Sequence, residues 1–261
     1  MVDLPLAAQV AEQAAYAAGT HLLASRSRLA ASVITQTSPD AEAEAIACEA
    51  EELIRGVVLR QFPDHGLRGK SGRTRLCDGR PLWVVDTLDG RANYLRGYPQ
   101  YAVSIALVFE GEPVVGVVYD PCRNEFFGAI RGRGAVMNGA RIHCAAPRSL
   151  LDALAATVFP QPLSTRMATY MAELGRVMRA FGGVRRSGSM ALEMAYLAAG
   201  RIDAFWEHDT RSWDTAAGIV LLRESGAIVE ARDQEPLLLS RSVLACTPGL
   251  RGSFLDLLSP A

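Results

Sequence analysis

Three strand-length apolar runs follow one another between Tyr101 and Ile130 with almost nothing between them. That spacing constrains the fold more than any other feature of the chain. "YAVSIALVFEG", "PVVGVVYD" and "NEFFGAI" are rich in β-branched and aromatic residues. The links "EGEP" (Glu110 to Pro113) and "DPCRN" (Asp120 to Asn124) are short and carry turn residues. A parallel crossover needs about a dozen residues or more, so these runs predict antiparallel neighbours in one sheet. A fourth run, "LWVVD" (82–86), precedes them.

The flanks predict helices. Residues 5–28 are Ala- and Leu-rich with no proline after Pro5, and 40–61 consist almost entirely of good helix formers. Between them and the sheet, "FPDHGLRGKSGRTRLCDGRP" (62–81) reads as a Gly- and Arg-rich loop. The second half changes character. Helical patterns at 164–182, 187–200, 213–226 and 249–258 alternate with short strand patterns at 201–207, 227–231 and 242–247. Alternation of this kind predicts an α/β layer. The expected fold class is therefore α/β (α+β), with an N-terminal α+β subdomain over 1–145 and a C-terminal α/β subdomain over 146–261. No internal repeat is visible.

Composition narrows the function classes. With 261 residues, 49% of them hydrophobic, the chain can bury a substantial core. A net charge of -1 provides no basic field for nucleic acid. No apolar run approaches the roughly 20 residues of a membrane helix. The N-terminus "MVDLPLAAQVAEQ" lacks a basic n-region and carries Asp3 and Glu12, unlike a secretory signal. The five cysteines (Cys48, Cys77, Cys122, Cys144 and Cys246) are scattered and form no CxxC pair. They fit reduced thiols in a cytoplasmic protein better than disulfides or a zinc site.

Three segments carry candidate chemistry. In "VVDTLDGRANYLRG" (84–97) two carboxylates, Asp86 and Asp89, leave the end of an apolar strand, and Gly90 permits a sharp turn. Carboxylates this close raise each other's pKa unless a cation joins them, and a hard divalent ion such as Mg2+ would do so with oxygen ligands. A solvated Asp-Gly turn is the plain alternative. In "SWDTAAG" (212–218), Asp214 either binds a metal or, with Ser212, caps the next helix. In "GSMALEMAYLAAGRIDAFWE" (188–207), Gly188 and Ser189 open a helix whose N–H groups suit an anion, and Glu207 ends a strand.

In order and spacing, these segments resemble the inositol monophosphatase family, whose Mg-dependent members are of the lithium-sensitive phosphatase type. The family's strand end reads D-P-(I/L)-D-G-(S/T)-x-N-(F/Y), its later helix start reads W-D-x-A-A-G, and a G-(S/T)-A-A block lies between. "FPDHGLRG", "GYPQYAVSIALVFEGEPVVGVVYDP" and "GRGAVMNGARI" extend the likeness over about residues 45–230. The resemblance implies an α-β-α-β-α sandwich, usually homodimeric, that hydrolyses small phosphate monoesters with Mg2+. Carried over residue by residue, it implies that Asp86 bridges metals and that Asp89 and Asp214 bind the second ion. The Leu88 carbonyl would face the first ion, and the N–H groups of Gly90 and Arg91 would hold phosphate. Ser189 matches a ring-contacting position, and Glu207 matches the acceptor for a substrate hydroxyl.

The chain also departs from the pattern. Lys70 stands at the family's first-metal glutamate, and the next acid along the chain is Asp78. Arg91 replaces the D-G-T threonine that shares the activated water. Ala47, or Cys48 with a one-residue slip, stands at an upstream aspartate. Counting Ala47, these changes make the first metal position four charge units more positive. Met190 replaces a small residue, and Arg211 lies just before the "SWD" helix, so the pocket wall is bulkier and more basic. The expectation is an impaired or altered hydrolase of a small phosphorylated or anionic metabolite, with Lys70 and Arg91 joining Asp86 and Asp89 in the chemistry. At most one Mg2+ is expected, and none is an open alternative. Two further readings stay open: a scaffold recruited to another reaction, and an inactive homologue that binds a ligand or partner. Neither nucleic acid nor membrane is an expected partner, and a homodimer is.

Overall fold

The computed structural model describes residues 2–34, 38–70, 74–75, 79–159 and 164–259; Cys77 and Asp78 lie outside them. The chain opens with α1 (Leu4–Ile34) and α2 (Pro39–Gln61). Ser38 starts α2, its hydroxyl accepting the Ala41 N–H at 3.4 Å, with Pro39 at the first position and Asp40 and Glu42 in the first turn. The strands β1 (Gly66–Gly69), β2 (Thr74–Arg75) and β3 (Leu82–Asp89) follow, then the short α3 (Arg91–Arg96). Next come β4 (Ala102–Phe109), β5 (Glu112–Asp120), β6 (Glu125–Ile130), β7 (Gly134–Met137) and β8 (Ala140–Ile142). All eight form one sheet in the order β2-β1-β3-β4-β5-β6-β7-β8. The pairs from β3 to β8 are antiparallel, as the short links require. The stretch read as a loop over 62–81 contains β1, which pairs parallel with β3, and β2 at the edge.

The second sheet comprises β9 (Leu154–Thr157), β10 (Gly183–Arg185), β11 (Ala204–His208), β12 (Ile228–Ala231) and β13 (Ser242–Cys246), in the order β10-β9-β11-β13-β12. Four helices accompany it: α4 (Met167–Ala180), α5 (Met190–Ala198), α6 (Ser212–Glu224) and α7 (Arg251–Leu258). Strands β9 and β10 lay outside the sequence expectation.

Alternating side chains sort the chain into layers. Val85, Val103, Ile105, Leu107, Val115 and Val117 face the first sheet's outer side and pack on α1 and α2. Val84, Ala106, Val118 and Phe127 face inward onto α5 and α6, whose other side meets Phe205, Val243 and Ala245 of the second sheet. Ala204, Trp206 and Leu244 point outward onto α4 and α7. The layers are thus α-β-α-β-α, the sandwich implied by the motifs. Buried between two sheets, α6 is apolar on every side, and eight of its residues are buried. Its close approach needs Gly116 in β5, where a Cβ would come within 2.4 Å of the Ala217 carbonyl. That contact holds the second turn of α6 against the middle of the first sheet.

Candidate active site

Strand β3 is buried along almost its whole length and ends in the two acids. Residues three apart on a regular strand point to opposite faces, but the β3–β4 register shifts between Asp86 and Asp89. The irregularity brings both carboxylates into one cleft. Asp86 is fully buried; its Oδ1 accepts the Leu88 N–H at 3.1 Å and its Oδ2 lies 2.8 Å from Lys70 Nζ. Gly90 then turns the chain into α3 with φ 83°. No other residue fits, because a Cβ there would lie 2.7 Å from the Gln100 carbonyl. The N–H groups of Asn93 and Tyr94 donate to the Gly90 carbonyl at 2.9 and 3.1 Å, and those ahead of them have no carbonyl one turn back.

The acids further along are held by helix starts. Ser189 caps α5 and donates to Asp89 Oδ2 at 2.5 Å, and the Ala191 N–H donates to the same oxygen at 2.9 Å. Asp214, in the first turn of α6, accepts the Arg211 N–H at 2.9 Å. Burial first, and the charge of Asp86 second, raise both carboxyls above the ordinary range, Asp214 to about 7. Lys70 responds oppositely. The loss of water around it opposes its charge, but Asp86, Asp89 and Asp214 outweigh that and hold its ammonium above the usual lysine value.

Four predicted site residues therefore share one cleft: Lys70, Asp86, Asp89 and Asp214. Arg91 takes another direction. Its guanidinium turns to the start of α2, pairing with the Glu44 carboxylate and the Asp40 carbonyl. Together Glu44, Ala47, Lys70, Asp86, Thr87, Leu88 and Arg91 line a cavity of about 80 Å³. Ser189 is fully buried on Asp89, and Met190 packs into the core between the sheets. Glu207 is buried, with its oxygens on the N–H groups of Val158 (2.7 Å) and His208 (2.8 Å). Burial, opposed by those two bonds, pushes its carboxyl up to about 8. Arg211 is exposed at the start of α6.

Three residues that the sequence reading gave no role also shape the cleft. Glu44 lies one helical turn before Ala47, a spacing that places both on one face of α2. Thr87 donates to the Ala47 carbonyl at 3.2 Å, tying α2 to β3. Asn93 bridges α3 to the α5 loop through the carbonyls of Gln100 (2.7 Å) and Ser187 (2.8 Å). Its place in the D-G-x-x-N pattern was the available signal.

Three carboxylates facing one ammonium leave negative charge uncompensated, a deficit that a hard cation answers. Around Asp89 and Asp214 the donor chemistry fits one such ion. Around Asp86 the Lys70 ammonium, 2.8 Å away, already engages one of the two carboxylate oxygens that an ion would use. Among the described residues, no three His, Cys, Asp or Glu side chains are already gathered as a metal cage.

Known proteins carry the same architecture. The chain matches the Inositol monophosphatase family over residues 4–258. It is 42% identical over 179 residues to the inositol-1-monophosphatase of Rhizobium meliloti (strain 1021), covering 68% of this chain and 67% of the relative. It is 40% identical over 223 residues to the Nus factor SuhB of Xylella fastidiosa (strain Temecula1 / ATCC 700964), covering 85% and 81%. The solved inositol monophosphatase of Anabaena (Nostoc) sp. PCC 7120 superposes with a TM-score of 0.86 at 32% identity, over 98% of this chain and 96% of that one. Motifs, layers and relatives agree, and the chain belongs to the inositol monophosphatase family.

Proposed function

We propose that this protein binds a small phosphate monoester at the start of α3 and hydrolyses it by an impaired or altered route with at most one Mg2+. The observation carrying this reading is the Lys70 ammonium, 2.8 Å from Asp86 at the exit of β3. A side chain that cannot coordinate metal occupies the place where the family uses a carboxylate. The N–H groups of Gly90 and Arg91 hold the phosphoryl oxygens. Lys70 faces the same cleft and supplies charge to the anion, which a positioned cation does well away from bulk water. Asp89 and Asp214, with Asp86, would hold the ion, whose contribution is Lewis-acid polarisation of a phosphoryl oxygen. Arg211, exposed at the start of α6, belongs to the substrate side of the cleft and Glu207 to its far wall, while Met190 and Ser189 pack behind it rather than facing substrate. A basic wall favours a substrate with a second anionic group over a neutral polyol ring. Support for a homodimer comes from the resemblance, and support for a cytoplasmic protein from the thiols of Cys122, Cys144 and Cys246, which form no disulfide among the described residues.

Phosphate release from inositol 1-phosphate, measured beside an ordinary family member across a range of Mg2+, tests the proposal. Turnover far below the comparator is expected, and comparable turnover would refute it. The relative named a Nus factor supports a second reading, a scaffold that binds a ligand or partner without turnover. Calorimetric binding of phosphate esters with no phosphate released from any of them would favour that reading.

A further inference from the structure

The outer face of the second sheet carries another cavity, whose lining includes several charged side chains and none of the acids of the cleft. Along that strand Phe205 and Glu207 point inward, while Trp206 and His208 point outward. Beneath α4, the outward side chains leave a cavity of about 420 Å³. α4 presents Arg166, Thr169, Glu173 and Arg176 to it, at i, i+3, i+7 and i+10. That spacing is a single helical stripe, about 15 Å from end to end.

The charges on this stripe are unequally committed. Glu173 is fully buried, its Oε2 2.8 Å from His208 Nε2 and its Oε1 accepting from Arg232 at 2.7 Å. Burial works to raise its carboxyl, but the bonds to His208 and Arg232 prevail and hold it below the ordinary range. Ser242 fixes the other face of the imidazole at 3.0 Å from Nδ1. Asp233, the other acid of the lining, accepts the N–H groups of Glu235 (3.3 Å) and Arg241 (2.9 Å). Both acids are therefore satisfied from within the protein. The arginines at the ends of the stripe are not. Arg176 uses only its Nε, on the Leu257 carbonyl at 2.5 Å, and its two terminal nitrogens have no protein acceptor among the described residues. Among the described residues the Arg166 guanidinium has only Asp209, at 3.7 Å, beyond hydrogen-bond reach.

We propose that this cavity binds a small phosphate-bearing anion between Arg166 and Arg176, with Arg232 and His208 at its floor. Guanidinium groups recognise phosphate through paired, charge-assisted N–H donors, and the free donors here belong to guanidiniums at both ends of one cavity. Two separated cations favour a ligand with charge at two points over a single monoanion. The proposal does not depend on whether the acid cleft retains hydrolysis.

Calorimetry with inorganic pyrophosphate and no divalent metal tests it on the full chain. The variant K70A/R91A removes the two cationic side chains beside Asp86 and α3, and one binding event per chain should persist in it. In that background, R166A/R176A should weaken the affinity about tenfold or more, the scale of losing charge-assisted contacts. T169E places a negative charge in the middle of the stripe without removing any hydrogen bond named above, and should weaken binding at least as much. It keeps the test sound should R166A/R176A fold poorly. No binding in K70A/R91A would overturn the proposal, since the ligand would then belong to the acid cleft. Affinity unchanged within about twofold in T169E, or in a well-folded R166A/R176A, would overturn it as well.

Discussion

The two sides of the acid cleft solve the same electrostatic problem differently. On the β3 side, Asp86 is compensated by a side chain, Lys70, and the neighbouring Arg91 is drawn away to Glu44 on α2. On the helix side, Asp89 and Asp214 have only N–H and hydroxyl donors at the starts of α5 and α6, and both carboxyls are raised by burial. Hydrogen bonds ease the burial of an acid but do not cancel its charge. One side of the cleft thus carries a built-in cation beside its acid, while the acids of the other side have hydrogen-bond donors alone.

The largest effect should come from erasing that difference. Restoring K70E together with R91T returns carboxylate and hydroxyl to the β3 side, with A47D added if two changes prove insufficient. Mg2+-dependent phosphate release should rise about a hundredfold or more, the scale of one preorganised charge-stabilising group. Asp86→Asn in that background should abolish the gain. A restored variant slower than wild type would mean that Lys70 and Arg91 are themselves the working catalysts.

Stability against pH probes the far side. Glu207 and Asp214 have folded pKa values of about 8 and about 7, above those of the unfolded chain. Between roughly pH 4 and pH 8 the folded state therefore binds more protons than the unfolded one. Stability should fall as pH rises through that window, by about 6 kcal/mol at most from pH 5 to pH 8 in urea unfolding without metal. Added Mg2+ should recover part of the loss at pH 8. A flat profile would mean that these acids are better hydrated than the fold implies.

Lys70→Ala should cost about 1 kcal/mol at pH 7, between the worth of exposed and buried pairs, because the lysine side chain is 46% exposed and Asp86 only 1%. It should also steepen the pH profile, since Asp89 and Asp214 lose the cation that works to lower their carboxyls. Arg91→Ala should change stability least, by about 0.5 kcal/mol or less, because its partner Glu44 is half exposed. A larger loss would show that the α2–α3 pairing supports the cleft more than its exposure suggests.

The five-layer sandwich was legible because its central sheet is written in short-linked, β-branched runs and its motifs stand in family order. Strands β1 ("GLRG"), β9 ("LAAT") and β10 ("GVR") were not. Short and rich in glycine or alanine, they are strands only because parallel neighbours hold them. In the cleft, the charge reversal at Lys70 was visible as a departure from pattern, and its pairing with Asp86 follows from sixteen residues of separation folded across β1 and β3. The turn of Arg91 toward Glu44 was not legible, since it depends on where α2 lies relative to α3. Nor was the burial of Ser189 on Asp89, a contact across a hundred residues of chain. Sequence spacing reports which groups a segment carries; the acceptor each one finds is decided by packing between segments.

The central claim is that the Lys70 ammonium has taken the place of one metal ion. Crystals soaked in Mn2+ and measured at the manganese edge count the ions directly. The account predicts no more than one anomalous peak per chain, beside Asp89 and Asp214, with Lys70 still on Asp86. Two ordered ions per chain, with Lys70 displaced from Asp86, would contradict it.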